Sequence, residues 1–202
     1  MGQKDKKPAY EFYFDRGQAR HRVGDYVGAL ADYTECLRLN PDFAPAYNNR
    51  GGIHYLNNHH QQALADFNRA IRLKPEMAAP YTGRGNVFLR MGEYEQAVVD
   101  YNHALELDPG LVEAYYSRGM VYREHGELSL ALADFEAALR INPEYLPAYL
   151  SRGYVRHKMN DPEGAIEDYE TYLRLGGGAR YGHHDAILER IQNIRQNLKI
   201  SD

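Results

Sequence analysis

The chain has 202 residues, 26% of them charged, and a net charge of -4. That acidic balance argues against a nucleic-acid binder, and no run of about 18 apolar residues exists to cross a membrane. A single cysteine, Cys36, excludes an internal disulfide and fits a reducing, cytoplasmic setting, although a chain trimmed of a targeting signal would have the same composition.

Residues 1–9 are polar and lack the apolar core of a secretory signal, so a flexible N-terminus is expected. Gly2 invites a myristoylation reading, but Lys6 stands where Ser or Thr is needed. From residue 10 a period of 34 residues takes over. Tyr13, Tyr47, Tyr81, Tyr115 and Tyr149 keep that step, as do Arg16, Arg50, Arg84, Arg118 and Arg152, each followed by Gly. Ala29, Ala63, Ala97, Ala131 and Ala165 keep it too, as do Asp32, Asp66, Asp100, Asp134 and Asp168, each followed by Tyr or Phe. Pro41, Pro75, Pro109 and Pro143 close the first four repeats. The repeats are 10–43, 44–77, 78–111, 112–145 and 146–175.

Each repeat reads as two helices, A and B. In the third, Pro80 sits in the first turn of helix A, and Tyr81, Gly85, Phe88 and Leu89 recur at helical spacing. Met91-Gly92-Glu93 makes the turn, and Glu95 to Leu107 forms helix B with Ala97, Tyr101, Ala104 and Leu105 inward. Asp108-Pro109 stops it. Gly at repeat position 8 and Ala at position 20 let A and B approach, and the aromatics at positions 4 and 24 are expected to fill the space around them. The Arg at position 7 and Asp at position 23 never separate across the five repeats, which predicts an ion pair within a repeat or to its neighbour. One hairpin cannot bury its apolar face alone, whereas five stacked ones can.

Gly176-Gly177-Gly178 then reads as a flexible break, giving a linker at 176–184. Residues 185–199 read as a helix with Ile187, Leu188, Ile191, Ile194 and Leu198 on one face. That helix is expected to cap the stack. The competing reading is a self-associating module that dimerises through this face or through the array end, so monomer and homodimer both stand.

An aromatic at position 4, Gly at 8, Ala at 20, an aromatic at 24, a small residue at 27 and Pro at 32 resemble the tetratricopeptide repeat. The departures are Tyr for Trp at position 4, Arg for Leu at 7, and Cys36 and Tyr172 at 27. The resemblance implies an all-α, right-handed α-solenoid of five hairpins plus the capping helix, and a non-enzymatic scaffold that binds a peptide or partner protein along the A helices. By that geometry, positions 2, 5, 9 and 12 face a concave groove. The residues are Phe14, Gln18 and His21; Asn48, Gly52 and Tyr55; Thr82, Asn86 and Leu89; Glu113, Tyr116, Met120 and Arg123; and Leu150, Tyr154 and His157. Asn48, Thr82 and Asn86 could bond an extended peptide backbone. Tyr116, Met120, Leu150 and Tyr154, beside Arg123 and His157, offer apolar area rimmed by positive charge, which suits an apolar residue near a carboxylate.

Other chemistry finds little support. The chaperone-tail clamp of some family members needs Lys and Asn where Phe14 and Gln18 stand, and cations where Ala79 and Gly83 stand; only Asn49 matches. Single-stranded RNA readers of related architecture use a 35-residue unit and a basic stripe. No HExxH occurs, and His59-His60 and His183-His184 fall near turns, so no metal or other cofactor is expected. The Gly run lacks a following Lys-Ser/Thr, and Cys36 occupies a small-residue core position.

Overall fold

The computed structural model describes residues 7–200, with side chains through Leu198. Residues 1–6 of the expected flexible N-terminus, Gly2 and Lys6 among them, lie outside the described residues. Helix begins at Ala9, one residue before the first repeat.

Among the described residues there are twelve helices and no strand. Five A/B hairpins come first: α1 (Ala9–Arg22) with α2 (Tyr26–Leu39), α3 (Ala44–Leu56) with α4 (His60–Leu73), α5 (Ala78–Met91) with α6 (Tyr94–Leu107), α7 (Val112–Glu124) with α8 (Leu128–Ile141), and α9 (Leu146–Lys158) with α10 (Pro162–Arg174). A short α11 (Gly177–Tyr181) and the terminal α12 (His184–Ile200) follow. The chain divides after Asp108 into two compact bodies, the first holding α1–α6 and the second α7–α12.

The A-to-B turn is the same in every repeat. Its position 15 takes the left-handed conformation, with Gly24, Asn58, Gly92, Gly126 and Asn160 at φ of 80°, 58°, 77°, 77° and 62°. Glycine and asparagine tolerate that region where other residues are strained. The B helices of the first four repeats end because proline follows. Asn40, Lys74, Asp108 and Asn142 precede it, with φ between -144° and -130°, since proline pushes its predecessor out of the helical region.

Glycine at position 8 seats the position-24 ring. A Cβ on Gly17, Gly85, Gly119 or Gly153 would lie 2.7–2.8 Å from a ring carbon of Tyr33, Tyr101, Phe135 or Tyr169, and one on Gly51 would lie 3.1 Å from Phe67. Alanine at position 20 is fully buried beneath each pair. The position-4 tyrosines pack on the hydrophobic clusters, Tyr81 being buried, and have a second role. Each lies under the arginine three residues on, at 5.2, 5.5, 5.7, 5.6 and 5.6 Å from ring centroid to guanidinium carbon. Helical i,i+3 geometry brings the two together, and the ring face attracts the cation.

A second apolar series, at position 10, joins hairpin to hairpin. Ile53 packs on Ala29 and Tyr33, Val87 on Ala63 and Phe67, and Val155 on Ala131 and Phe135. Val121 belongs to the series and is buried. Ala19, its counterpart in the first repeat, is exposed, and so is Phe12 nearby.

The C-terminal segment departs from expectation. The Gly run forms a built corner instead of a flexible break. Gly176 and Gly182 take positive φ at the ends of α11, while Gly177 and Gly178 are buried. The Tyr172 ring and the Leu173 side chain occupy the space that Cβ atoms on Gly177 and Gly178 would need, and the Tyr172 hydroxyl donates to the Gly177 carbonyl at 3.0 Å. This accounts for tyrosine at position 27 of the fifth repeat, where other repeats hold Cys or Ala. With no further A helix following, its ring fills a cluster with Leu146, Tyr169, Ile187, Ile191 and Ile194. Leu198 packs on the edge of that cluster, whereas Leu188, expected on the same face, is 40% exposed.

Candidate functional site

The most repeated polar feature is internal to each hairpin. Arg16, Arg50, Arg84, Arg118 and Arg152 grip Asp32, Asp66, Asp100, Asp134 and Asp168 of the same repeat through two bonds each. Nη2 donates at 2.6–2.7 Å and Nε at 2.8–3.0 Å. The aspartates are buried, and the fork geometry is one that only arginine supplies. Hydrogen bonding to aspartate holds Arg16, Arg50, Arg84 and Arg118 above their ordinary pKa. Position 11 varies around this core. Arg20 and Arg156 add a second cation to Asp32 and Asp168, at 3.0 and 3.1 Å. His54 stands 3.8 Å from Asp66, while Phe88 and Tyr122 lie against Arg84 and Arg118. Burial pushes the Asp168 carboxyl up against the pull of Arg152 and Arg156, and the two deepest aspartates, Asp32 and Asp168, are the ones with two arginines each. These groups are consumed by the fold.

In the first body, an open cavity of about 320 Å³ lies between α3 and α5. Asn48, Asn49, Gly52 and Tyr55 of α3 face Ala79, Gly83 and Asn86 of α5, with Phe67 beneath. The two glycines make the space. Nothing lies within 4 Å of a Cβ added to Gly52, and one on Gly83 would meet the Phe67 ring at 2.5 Å. The amides are pre-positioned. Asn48 donates to Asn49 at 3.2 Å, Asn49 contacts the Tyr33 hydroxyl at 3.5 Å, and Asn86 accepts from the Tyr101 hydroxyl at 2.7 Å. Thr82 is half-buried, and its hydroxyl has no hydrogen-bond partner. Gln18 and His21 border an adjoining recess with Tyr33 and Asn49.

In the second body, several expected surface residues are spent on packing. Tyr116 is half-buried and its ring meets those of Phe135 and Tyr145. Met120 packs in the same cluster, and its sulfur accepts from Ser151 at 3.6 Å. Leu150 packs against the α10–α12 cluster. Arg123 pairs with Glu124 at 2.5 Å and lies 5.6 Å from the Tyr154 ring. Tyr154 and His157 are exposed, and Tyr154 also carries Lys158 over its ring at 5.7 Å. They form one wall of a cavity of about 500 Å³ whose other wall is α12. Sequence reasoning missed this α12 contribution, from Arg190 and Asn193 above all, because it treated the helix as cover.

The remaining candidates are structural or solvated. Cys36 is fully buried and burial pushes its thiol to about 11. His59 lies at a turn with its ring 6.0 Å from that of His54, whose pKa is lowered by burial. Among the described residues, no group of three or more His, Cys, Asp or Glu is placed to hold a metal ion, and no helix is long and apolar enough to cross a membrane.

No curated protein matches the chain in sequence. Among solved structures, YrrB, described as a TPR protein with an unusual peptide-binding site, aligns with a TM-score of 0.64 and 23% identity over 86% of this chain and 90% of its own. TTC0263, a thermophilic TPR protein of Thermus thermophilus, aligns with a TM-score of 0.72 and 18% identity over 93% and 100%. PilW, a type IV pilus biogenesis factor, aligns with a TM-score of 0.78 and 17% identity over 96% and 94%. At such identities the likeness speaks to fold. Family models described as tetratricopeptide repeat match residues 10–43, 44–77, 112–145 and 129–182, and one described as TPR repeat matches 85–126. With these matches laid over five hairpins of one internal geometry, the chain belongs to the tetratricopeptide repeat family.

Proposed function

We propose that the chain is a protein-interaction scaffold and that the A-helix face of its first body binds an extended peptide segment. The observation that carries this reading is the cavity between α3 and α5, open over Gly52 and Gly83 and edged by Asn48, Asn49 and Asn86. A peptide backbone needs donors and acceptors spaced along its length. Carboxamides supply both, and they do so regardless of the peptide's sequence. Held in place by bonds to neighbouring amides and hydroxyls, these side chains lose little further entropy on binding. YrrB, a protein of the same fold described as having a peptide-binding site, is consistent with this reading.

The test is a Gly52→Leu variant screened beside wild type against a pool of random octapeptides. Leucine is a good helix former and meets nothing near its Cβ, so the variant should keep wild-type helicity and melting temperature. It should retain fewer peptides than wild type, and Asn48→Ala/Asn86→Ala should weaken retention of those it loses about tenfold, as expected for one or two hydrogen bonds. Identical peptide sets on wild type and Gly52→Leu, or none on wild type, would sink the reading.

A further inference from the structure

Position 24 carries an aromatic in every repeat, and where it is tyrosine a buried hydroxyl must be satisfied. Tyr33 has Asn49, and Tyr101 has Asn86. The second and fourth repeats use Phe67 and Phe135, which raise no such demand. Tyr169 breaks the pattern. It is 0% exposed, and its hydroxyl makes no hydrogen bond of good geometry, although the Arg190 side chain lies close by. A buried hydroxyl so poorly satisfied is costly enough to call for a reason, and phenylalanine is the repeat's own remedy.

Tyr169 lines the cavity of about 500 Å³ between α9 and α12. Lys158 enters from α9 and Arg190 from α12, and each lies 5.7 Å from a tyrosine ring, Tyr154 and Tyr169 respectively. Neither forms a salt bridge to a carboxylate among the described residues, unlike the position-7 arginines. With Glu189 also on the wall, the lining carries a net charge of about +1, counting histidine as neutral. That balance suits a monoanion. A smaller cavity of about 250 Å³ adjoins it through His157 and Ile194, with Asn160 and Asn197 on its walls beside Pro162 and Leu198.

We propose that this cavity binds a peptide carboxylate, paired with Lys158 and Arg190 and hydrogen-bonded by the Tyr169 hydroxyl. Arg190 is exposed and lies over the Tyr169 ring, so it can swing onto an incoming carboxylate and uncover the phenol. Burial pushes the Tyr169 phenol up, with hydrogen bonding to Arg190 and its charge pulling the other way. Arg offers a fork for the carboxylate and Lys a point charge. The inference rests on the reading of the chain as a peptide binder, but it concerns a separate site.

The full chain would be screened against two pools of random octapeptides that differ only at the C-terminus, one free and one amidated. Preference for the free pool assigns the α-carboxylate, and enrichment of Asp or Glu within the amidated pool assigns a side-chain carboxylate. Lys158→Gln/Arg190→Gln should abolish either preference. Tyr169→Phe should weaken retention about tenfold, the loss of one charge-assisted hydrogen bond, with an unchanged or raised melting temperature, a combination that a merely structural tyrosine would not give. Gly52→Leu lies in the other body and should leave the carboxylate preference intact. Peptides retained by wild type without carboxylate preference, or a preference that survives the double variant, would overturn this inference alone. No retention from either pool would overturn it together with the reading beneath it.

Discussion

At the scale of single residues, the arginine at position 7 has three tasks. It bonds a buried aspartate through two nitrogens, it covers the tyrosine one turn before it, and in the third repeat it also donates to the Asn68 Oδ1 at 2.6 Å. A neutral amide in place of the aspartate leaves a guanidinium desolvated and half-paired. Asp100→Asn should therefore destabilise the first body by about 2–4 kcal/mol, and Arg84→Leu by a similar amount, because breaking a mostly buried pair strands its partner. The double variant should cost clearly less than the sum, with a coupling of about 1–3 kcal/mol in urea unfolding. Additive costs would mean that the two side chains act independently despite their geometry. The invariant pairing made this contact legible in sequence. The second role of Tyr81 was not legible, because a buried aromatic at position 4 reads as core alone until the arginine is seen lying on it.

At the scale of the helix, the left-handed residue at position 15 sets the A-to-B turn in all five repeats. Three repeats use glycine there. Asn58 and Asn160 adopt φ of 58° and 62° with a Cβ in place, a mild strain that glycine would relieve. Asn160→Gly should be neutral or stabilising by up to about 1 kcal/mol, and Gly92→Ala should cost about 1–2 kcal/mol. Thermal melts of the two variants check the sign, and a destabilised Asn160→Gly would show that the asparagine side chain supports the turn in some other way. The turn residues, the prolines behind the first four B helices and the helix periods were all readable, since each follows from backbone sterics over a few neighbours. The inter-hairpin residues Ile53, Val87 and Val155 recur in multiples of the same 34-residue step and could have been found by the same search. They went unread because a lone β-branched residue midway along helix A belongs to neither face of an isolated hairpin.

At the scale of the whole molecule, α12 finishes the second body. Ile187, Ile191 and Ile194 are buried against Tyr169 and Tyr172, each burial worth about 1.5–3 kcal/mol. A chain cut after Leu175 should lose the cooperative melting of the second body and aggregate in light scattering, because the aromatic face of α10 is left bare. Clean loss of a dimer without aggregation would instead favour self-association through this helix, and an unchanged melt would show that α12 contributes no cover. The sequence by itself determined the repeat, its helices, its turns and the arginine–aspartate pairs, because these are local or recur at a fixed step, and repetition makes them visible five times over. Only the tertiary structure decided which A-helix residues stay open and which are spent on packing, as with Tyr116, Met120 and Leu150. It alone set the Gly176–Gly178 corner and brought Arg190 and Lys158 to opposite walls of one cavity beside the Tyr169 hydroxyl. Those outcomes depend on which side chain a neighbouring helix leaves room for, and that neighbour occurs once, at the end of the chain, where no internal repeat exists to compare it with.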